Sequence, residues 1–270
     1  MPAPTSEALA EALEPLTRDP SAAALFFDVD GTLSPIAPRA EDAHVPEKTS
    51  LLLGSLARRY GLVACVSGRS ASEARRLVGV GGIAYAGAHG AELIEPGAAS
   101  ATVLPAFASW TEQIRRFAAE RDERDLRLLR VRIEDKGPIA AFHWRGVPDE
   151  DAARTRLEGV AQEAEAEGYA THWGRKVLEV RPPVPFDKGQ AVSALVRGAG
   201  SRAALYGGDD ATDLDAFTAF DQLLAAGELD HAVRVGVRSA EGPPAIVERA
   251  DLVVEGTDGF REVLSALAEV

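Results

Sequence analysis

Four short stretches carry residues whose types and spacing could do chemistry together. Asp28-Val29-Asp30-Gly31-Thr32-Leu33 places two carboxylates one residue apart, with Gly31 suited to a tight turn. A carboxylate such as Asp28 can attack phosphorus and form an acyl phosphate. A second, Asp30, can protonate a leaving group and then activate water. Ser67-Gly68-Arg69 offers a hydroxyl and backbone N–H groups at a helix start, an anion-binding arrangement in which Ser67 would hold a phosphoryl oxygen. Asp187-Lys188-Gly189 supplies an ammonium that can neutralise phosphoryl oxygens, at a helix start where a cation opposes the helix dipole. Gly207-Gly208-Asp209-Asp210-Ala211-Thr212-Asp213 crowds three carboxylates into five positions. An N-cap with an acidic first turn explains one of them; three repel one another unless a cation is present. Mg²⁺ suits such a place, because one or two carboxylates with phosphate and water complete its shell. The metal set read this way is Asp28, Asp30 through its carbonyl, Asp209 and Asp210, with Asp213 in support. Asp210 and Asp213 are expected to act through water or as helix caps. Gly31, Thr32, Gly68 and Arg69 are the adjoining substrate contacts.

The elements that must position these residues follow from hydrophobic patterning. Ala22 to Phe27 is apolar without alternation, as in a parallel strand covered on both faces, and it runs straight into Asp28. Leu62 to Val66 is a second such strand, ending at Ser67, and a third runs from Ile83 to Gly87 before the turn Gly87-Ala88-His89-Gly90. Helices are expected over Ser6–Leu16, Glu47–Tyr60 and Ser70–Val78. After a Pro/Gly/Ala/Ser-rich connector, Pro96 to Pro105, the pattern becomes helix Ser109–Arg121, strands Leu128–Ile133 and Ile139–Trp144, helix Asp149–Glu167, and strands Tyr169–Trp173 and Lys176–Val180. Pro182 to Pro185 is a stiff exit. Alternation then resumes with helix Lys188–Val196, strand Ala203–Tyr206, helix Ala211–Ala219, strands Ala232–Val237 and Leu252–Val254, and helix Phe260–Ala268. The fold class expected is α/β: a doubly wound, Rossmann-like parallel sheet split in sequence (1–106 and 183–270), with a smaller α+β cap domain inserted (107–182). In such sheets ligands bind beyond the carboxyl ends of the strands, where all four motifs fall.

Composition narrows the function classes. The chain has 270 residues, 46% of them hydrophobic, enough for a buried core. A formal charge of −13 disfavours a nucleic-acid backbone as partner. The single cysteine, Cys65, lies in an apolar strand and reads as a packed residue rather than a reactive thiol. No apolar run is long enough to span a bilayer, and Met1 to Pro20 lacks the basic start and apolar centre of a signal peptide, so a cytoplasmic location without a membrane partner is the expectation.

In this order the four motifs resemble those of the haloacid dehalogenase-like phosphohydrolases. The resemblance covers the whole chain, with the insert where that family places a large cap between its second and third motifs. Asp28 to Ile36, Gly87-Ala88-His89-Gly90-Ala91-Glu92, Glu134-Asp135-Lys136, Glu179-Val180-Arg181-Pro182 and Gly208 to Asp213 are similar, more narrowly, to the trehalose-6-phosphate phosphatases. That resemblance implies hydrolysis of trehalose 6-phosphate to trehalose and phosphate with Mg²⁺, the last step of trehalose biosynthesis, under a cap that closes over the disaccharide. It makes Glu179 the candidate for sugar hydroxyls, with Lys136 beside it and Arg181 orienting it, since charged groups bind hydroxyl networks well. The family's Gly-Lys pair four residues before this Glu is here Gly174-Arg175, with Lys176 next; either cation could take the role, and the two differ in reach and geometry. Glu134 is a sugar ligand or a salt-bridge partner of Lys136, and His89 a turn histidine or a substrate-facing one. His143, His172, Trp144 and Trp173 are expected to pack within the cap strands. The alternatives are another sugar phosphatase, for sucrose 6-phosphate or mannosyl-3-phosphoglycerate, and a catalytically silent sugar-phosphate-binding subunit. The expected partners are a small sugar phosphate and a trehalose-6-phosphate synthase, with the chain itself a monomer.

Overall fold

The computed structural model describes residues 5–37, 42–122, 124–184, 186–240 and 242–269. The chain forms two compact units, Met1–Ala101 with Phe186–Val270, and Thr102–Pro185.

The first unit is built on β1 (Ala23–Phe27), whose five residues are all buried, as an unalternating apolar run requires. Helices α1 (Ser6–Thr17) and α2 (Glu47–Leu56), strand β2 (Leu62–Val66), helix α3 (Ala71–Val78), and strands β3 (Ala84–Gly87) and β4 (Glu92–Ile94) complete its first half. Numbering onward through the insert, the second half holds α7 (Lys188–Ala199), β10 (Ala203–Gly208), α8 (Asp213–Ala225), β11 (His231–Arg238), α9 (Pro244–Arg249), β12 (Leu252–Glu255) and α10 (Gly256–Glu269). Within this unit the sheet order is β12-β11-β10-β1-β2-β3-β4. All neighbours are parallel except β4, which returns antiparallel to β3.

Both faces of the sheet are covered. Leu25 and Phe27 pack with Leu13 and Leu16 of α1, Leu53 of α2 and Leu264 of α10 on one side. Phe26 packs with Val192 of α7 and Phe217 and Phe220 of α8 on the other. The register pairs Phe27 with Gly207 and with Cys65, and Val66 with Ala86. Strands β1, β2, β3 and β10 therefore end level, and the residues that follow them emerge at one edge. Cys65 is fully buried, and burial raises its thiol pKa, with the nearby Asp28 adding to the effect, which fits a packing role.

The second unit opens with β5 (Thr102–Val103) and continues with α4 (Pro105–Arg121), α5 (Arg124–Leu128), β6 (Arg132–Asp135), β7 (Ala140–His143), α6 (Glu150–Ala166), β8 (Ala170–Gly174) and β9 (Val177–Arg181). Its antiparallel sheet, ordered β6-β7-β9-β8, packs Phe142, Leu178 and Val180 against Ile114 and Phe117 of α4 and Leu157 and Val160 of α6. The other sheet face carries the alternate residues of each strand, Arg132, Glu134, His143, Glu179 and Arg181.

The structure corrects the element reading in several places, among them a helix that starts at Pro105 instead of Ser109 and a strand, β5, within the expected connector. The strand expected over Leu128–Ile133 starts at Arg132, because Arg124–Leu128 coils into α5 and Arg130 takes a left-handed φ of 58° before the strand begins. The helix expected from Ala211 starts at Asp213, whose carboxylate gathers the preceding backbone N–H groups into a turn. Helix α9, with a proline at its first position, was not foreseen, since six residues give too short a periodic pattern. Among the described residues no helix is long and apolar enough to cross a membrane.

All three tryptophans, Trp110, Trp144 and Trp173, lie in the second unit, so their fluorescence reports its unfolding. Leu157→Ala, at a fully buried position on α6, should destabilise that unit by about 2–5 kcal/mol. A denaturant midpoint read by tryptophan fluorescence that stays at the parental value would contradict the packing described.

Candidate active site

The level strand ends decide what meets. Asp28 extends β1, donating its backbone N–H to the Gly207 carbonyl at 2.9 Å, and is itself buried. The chain then folds back. Leu33 and Ser34 donate to the Val29 carbonyl, and Gly31 donates to the Ser34 carbonyl at 2.7 Å. Gly31 has φ +91°, and a Cβ there would sit 2.3 Å from the Asp209 carboxylate carbon. Glycine is thus needed twice, for the backbone conformation and for the space the carboxylate occupies. Thr32 is fully buried in the same turn.

Lys188 is the first residue of α7, set by the N-cap of Asp187, which accepts the Gln190 N–H at 2.8 Å. Its ammonium, only 3% exposed, donates to Asp28 Oδ1 at 2.6 Å and to Asp213 Oδ1 at 2.7 Å. Burial alone would lower the lysine pKa; Asp213 and Asp28 outweigh it, and the pKa is raised, so the group stays cationic. Burial also raises the Asp28 pKa. Lys188 opposes that shift, whereas Asp213 and Asp209 reinforce it.

Asp213 is saturated. Oδ1 accepts from Lys188 and from the Tyr206 hydroxyl at 2.7 Å, and Oδ2 accepts the backbone N–H groups of Asp209 and Asp210, each at 2.9 Å. A Cβ at residue 208 would overlap this carboxylate, at 2.3 Å from its carbon, so Gly208 makes room for it. Carboxylate oxygens of Asp28, Asp209 and Asp213 all lie within 4.8 Å of one another. Lys188 pairs with Asp28 and Asp213, and the buried Asp209 adds a third carboxylate beside them, so negative charge gathers here. That donor set, all hard oxygen, fits a divalent cation such as Mg²⁺. Since the oxygens of Asp213 are already occupied by four donors, Asp28 and Asp209 are the carboxylates suited to it. Asp210 stands outside the three-carboxylate cluster, its Oδ1 accepting the Ala211 N–H at 2.7 Å.

The second motif is tied in from its own strand end. Ser67, buried after β2, accepts the Arg69 N–H on its Oγ at 3.1 Å, and Ser70 caps α3. Arg69 reaches Asp30 with two parallel bonds, Nε to Oδ2 at 2.6 Å and Nη2 to Oδ1 at 2.8 Å, while Nη1 meets Glu73 at 2.7 Å. This bidentate fork fixes the plane of the Asp30 carboxyl. Arg69 is expected from sequence among the substrate contacts; in the structure its guanidinium engages the second carboxylate of the first motif. His89 has φ +56° in the turn after β3, donates its N–H to the Ser67 carbonyl at 3.0 Å, and lays its ring against Gly68. Glu92 on β4 accepts the Ala71 N–H at 3.0 Å and so caps α3 from across the sheet.

The inserted unit, taken by itself, sets Glu134, His143, Glu179 and Arg181 on one sheet face. Register aligns Glu134 with Ala141, Ala141 with Glu179, and Glu179 with His172. Lys136 donates to Glu179 Oε1 at 3.0 Å, and Arg181 donates to Oε2 through Nε, also at 3.0 Å, with Lys136 and Glu179 both buried. Lys136 thus forms a salt bridge with Glu179, and Glu134 pairs with His143 at 2.7 Å and with Arg132 at 3.4 Å. Lys176, at φ +61° in the β8–β9 turn, pairs with Glu150 on α6, whereas the Arg175 carbonyl accepts from Arg145. Only part of the packing expectation holds. Trp144 is buried in the unit's core, but Trp173, edge-on to it, is 40% exposed, His143 lies on the charged face with Glu134, and His172 is exposed. Strand alternation could have indicated this for His143, two residues after Ala141 and on the opposite side from Phe142.

Glu134 is brought down to a pKa of about 2. Burial by itself would raise it; the His143 hydrogen bond and the charges of Lys136, His143 and Arg132 prevail. A carboxyl lowered on folding stabilises the fold above its ordinary value of 4.5 and loses that contribution as pH falls toward 2. Glu134→Gln should therefore be less stable than the parent by about 1–3 kcal/mol near neutral pH, with the gap closing in acid. Thermal unfolding across the acid range checks this, and a gap independent of pH would contradict it.

The comparisons with known proteins agree with this layout. The family model for trehalose-phosphatase matches residues 26–245. A trehalose-phosphate phosphatase of Mycobacterium avium is 35% identical over 212 residues, 73% of this chain and 51% of that protein. A probable trehalose-phosphate phosphatase of Sinorhizobium fredii is 31% identical over 260 residues, 95% of this chain and 91% of that one. This chain thus spans about half the length of the M. avium relative and nearly all of the S. fredii one. The structure of the C-terminal domain of the C. albicans trehalose-6-phosphate phosphatase superposes with a TM-score of 0.75 at 22% identity, covering 99% of this chain and 98% of that one, a likeness of fold. With the family model spanning four-fifths of its length and every core motif inside or at the edge of the matched region, the chain belongs to the trehalose-phosphatase family.

Proposed function

We propose that this chain is a Mg²⁺-dependent phosphatase that hydrolyses trehalose 6-phosphate to trehalose and phosphate. The observation that carries the chemistry is the buried Asp28 carboxylate held by Lys188 beside Asp209, with Asp30 oriented next to it by Arg69. The family model and the relatives supply the choice of substrate.

In this reading an oxygen of Asp28 forms a bond to phosphorus while the bond from phosphorus to the sugar oxygen breaks. Asp30 gives its proton to the departing sugar oxygen. Water then yields a proton to Asp30 and attacks the phosphorus of the acyl phosphate, returning the Asp28 carboxylate and free phosphate. Lys188 offsets charge at the transferring group, and Ser67 holds one of its oxygens. Asp28 and Asp209 would hold Mg²⁺, which when bound supplies positive charge to the phosphoryl oxygens. Arg69 acts through Asp30, fixing the direction in which its proton is given and taken.

The inserted unit is the specificity cap in this proposal. Glu179, held by Lys136 and Arg181, presents acceptor oxygens of fixed orientation for sugar hydroxyls, and the His143–Glu134 pair lies on the same face. In this reading Arg175 or Lys176 of the β8–β9 turn supplies a cation to the sugar, and Lys176 also pairs with Glu150.

Phosphate release from trehalose 6-phosphate should exceed that from glucose 6-phosphate by about a hundredfold or more, since hydrogen-bonding sites discriminate strongly against substrates that leave their polar groups unpaired. Activity should vanish in EDTA and return with Mg²⁺. Equal rates on the two sugars would sink the substrate assignment, and undiminished turnover in EDTA the metal. Asp28→Asn should lower turnover by about 10³-fold or more; a fully active Asp28→Asn protein would sink the nucleophile.

A further inference from the structure

Tyr206 is the fourth residue of β10, fully buried among apolar side chains. It stands opposite Phe26 of β1 in the sheet register, and its ring meets Phe217 of α8 edge-on, with centroids 6.2 Å apart. A phenylalanine would satisfy this packing. A buried hydroxyl costs desolvation unless it is hydrogen-bonded, so its one strong contact carries information. That contact is Asp213 Oδ1, 2.7 Å away, the same oxygen that accepts from Lys188 at 2.7 Å.

We propose that Tyr206 is a positioning residue of the site: its hydroxyl shares Asp213 Oδ1 with Lys188 and locks the Asp213 carboxylate, so that the ammonium stays bridged to Asp28 and the Asp209 loop stays anchored on Oδ2. The inference rests on the phosphatase reading given above. The geometry gives the reason. Asp213 has four donors on two oxygens, two from the loop backbone, one from Lys188 and one from Tyr206. Each limits rotation of the carboxylate. With the hydroxyl gone, Lys188 is the sole remaining donor to Oδ1 among these four, and the ammonium is drawn from Asp28 toward Asp213. The carboxylate can also turn about its last bond, which slackens its hold on the Asp209 and Asp210 N–H groups and so on the carboxylate of Asp209. Lys188 pairs with Asp28 and the Asp209 carboxylate stands beside it, so one missing oxygen atom at Tyr206 is felt at the nucleophile through these two groups.

Tyr206→Phe keeps the ring and removes the hydroxyl. Two measurements distinguish positioning from packing: calorimetric titration of Mg²⁺ into the substrate-free protein, and the separation of kcat from KM on the phosphomonoester the parent hydrolyses. The variant should bind Mg²⁺ about fivefold or more weakly and lose about tenfold or more in kcat, with KM within about twofold of the parent, as expected for loss of one hydrogen bond to a charged group. Phe217→Leu, which loosens the packing of the same ring and leaves the hydroxyl in place, should lower the melting temperature while keeping parental Mg²⁺ affinity and kcat. A Tyr206→Phe protein with parental Mg²⁺ affinity and kcat would overturn the inference. So would a Phe217→Leu protein that reproduced its losses. A parent that binds no Mg²⁺ would count against the metal of the proposed function, and the kcat ratio alone would then decide for or against Tyr206.

Discussion

Like charges crowded out of water govern this site. Asp28, Asp209 and Asp213 bring carboxylates within a few ångströms of one another where solvent does not screen them, and the Lys188 ammonium is set between Asp28 and Asp213. Removing one member of such a buried group leaves an uncompensated charge worth several kcal/mol, far more than the ~0–1 kcal/mol of an exposed ion pair. The arrangement survives because the three acids are not equivalent. Asp213 is absorbed into the scaffold by four donors, whereas Asp28 and Asp209 keep their chemistry for what binds there. The surplus negative charge is what makes a divalent cation the natural complement.

The sheet makes this crowding possible. Strands β10, β1, β2 and β3 end in register, so consecutive motifs far apart in sequence emerge side by side. Small residues then remove the steric obstacles. Without Cβ atoms at Gly31 and Gly208, the carboxylates of Asp209 and Asp213 occupy space that any other residue would fill. The loops are also bonded to one another: Arg69 grips Asp30, His89 holds Ser67, and Glu92 caps α3. A site assembled from four strand ends is therefore bonded into one preorganised piece, with little left to reorganise in the phosphoryl transfer proposed for it.

The inserted unit obeys the same electrostatic rule on a different scaffold. Its antiparallel sheet gives one face to the helices and leaves the other to charge. There the buried Glu179 takes Lys136 on one oxygen and Arg181 on the other, a cation for each lone-pair direction. Such an acceptor is held in one rotamer, which suits recognition of hydroxyls whose positions are fixed by a sugar ring.

Much of this was legible in the residues alone. Unalternating apolar runs that end in Asp28, Ser67 and Gly207 identified the parallel sheet and the edge where chemistry belongs, because burial on both faces leaves no polar residue until a strand ends. The motif residues Asp28, Ser67, Lys188 and Asp209 were found by type and spacing for the same reason. Partner choice was not legible. That Arg69 turns to Asp30, that Lys136 meets Glu179 while Glu134 meets His143, and that Asp213 rather than Asp210 joins the carboxylate cluster all depend on side chains brought together by the fold. Tyr206 was hidden altogether, since in a buried strand a tyrosine reads as another aromatic until its hydroxyl is seen against Asp213. The sequence by itself determined which groups are present and at which strand ends, since local pattern dictates burial. Only the tertiary structure decided which donor meets which acceptor, because a hydrogen bond is settled by distances of tenths of an ångström that no spacing along the chain encodes.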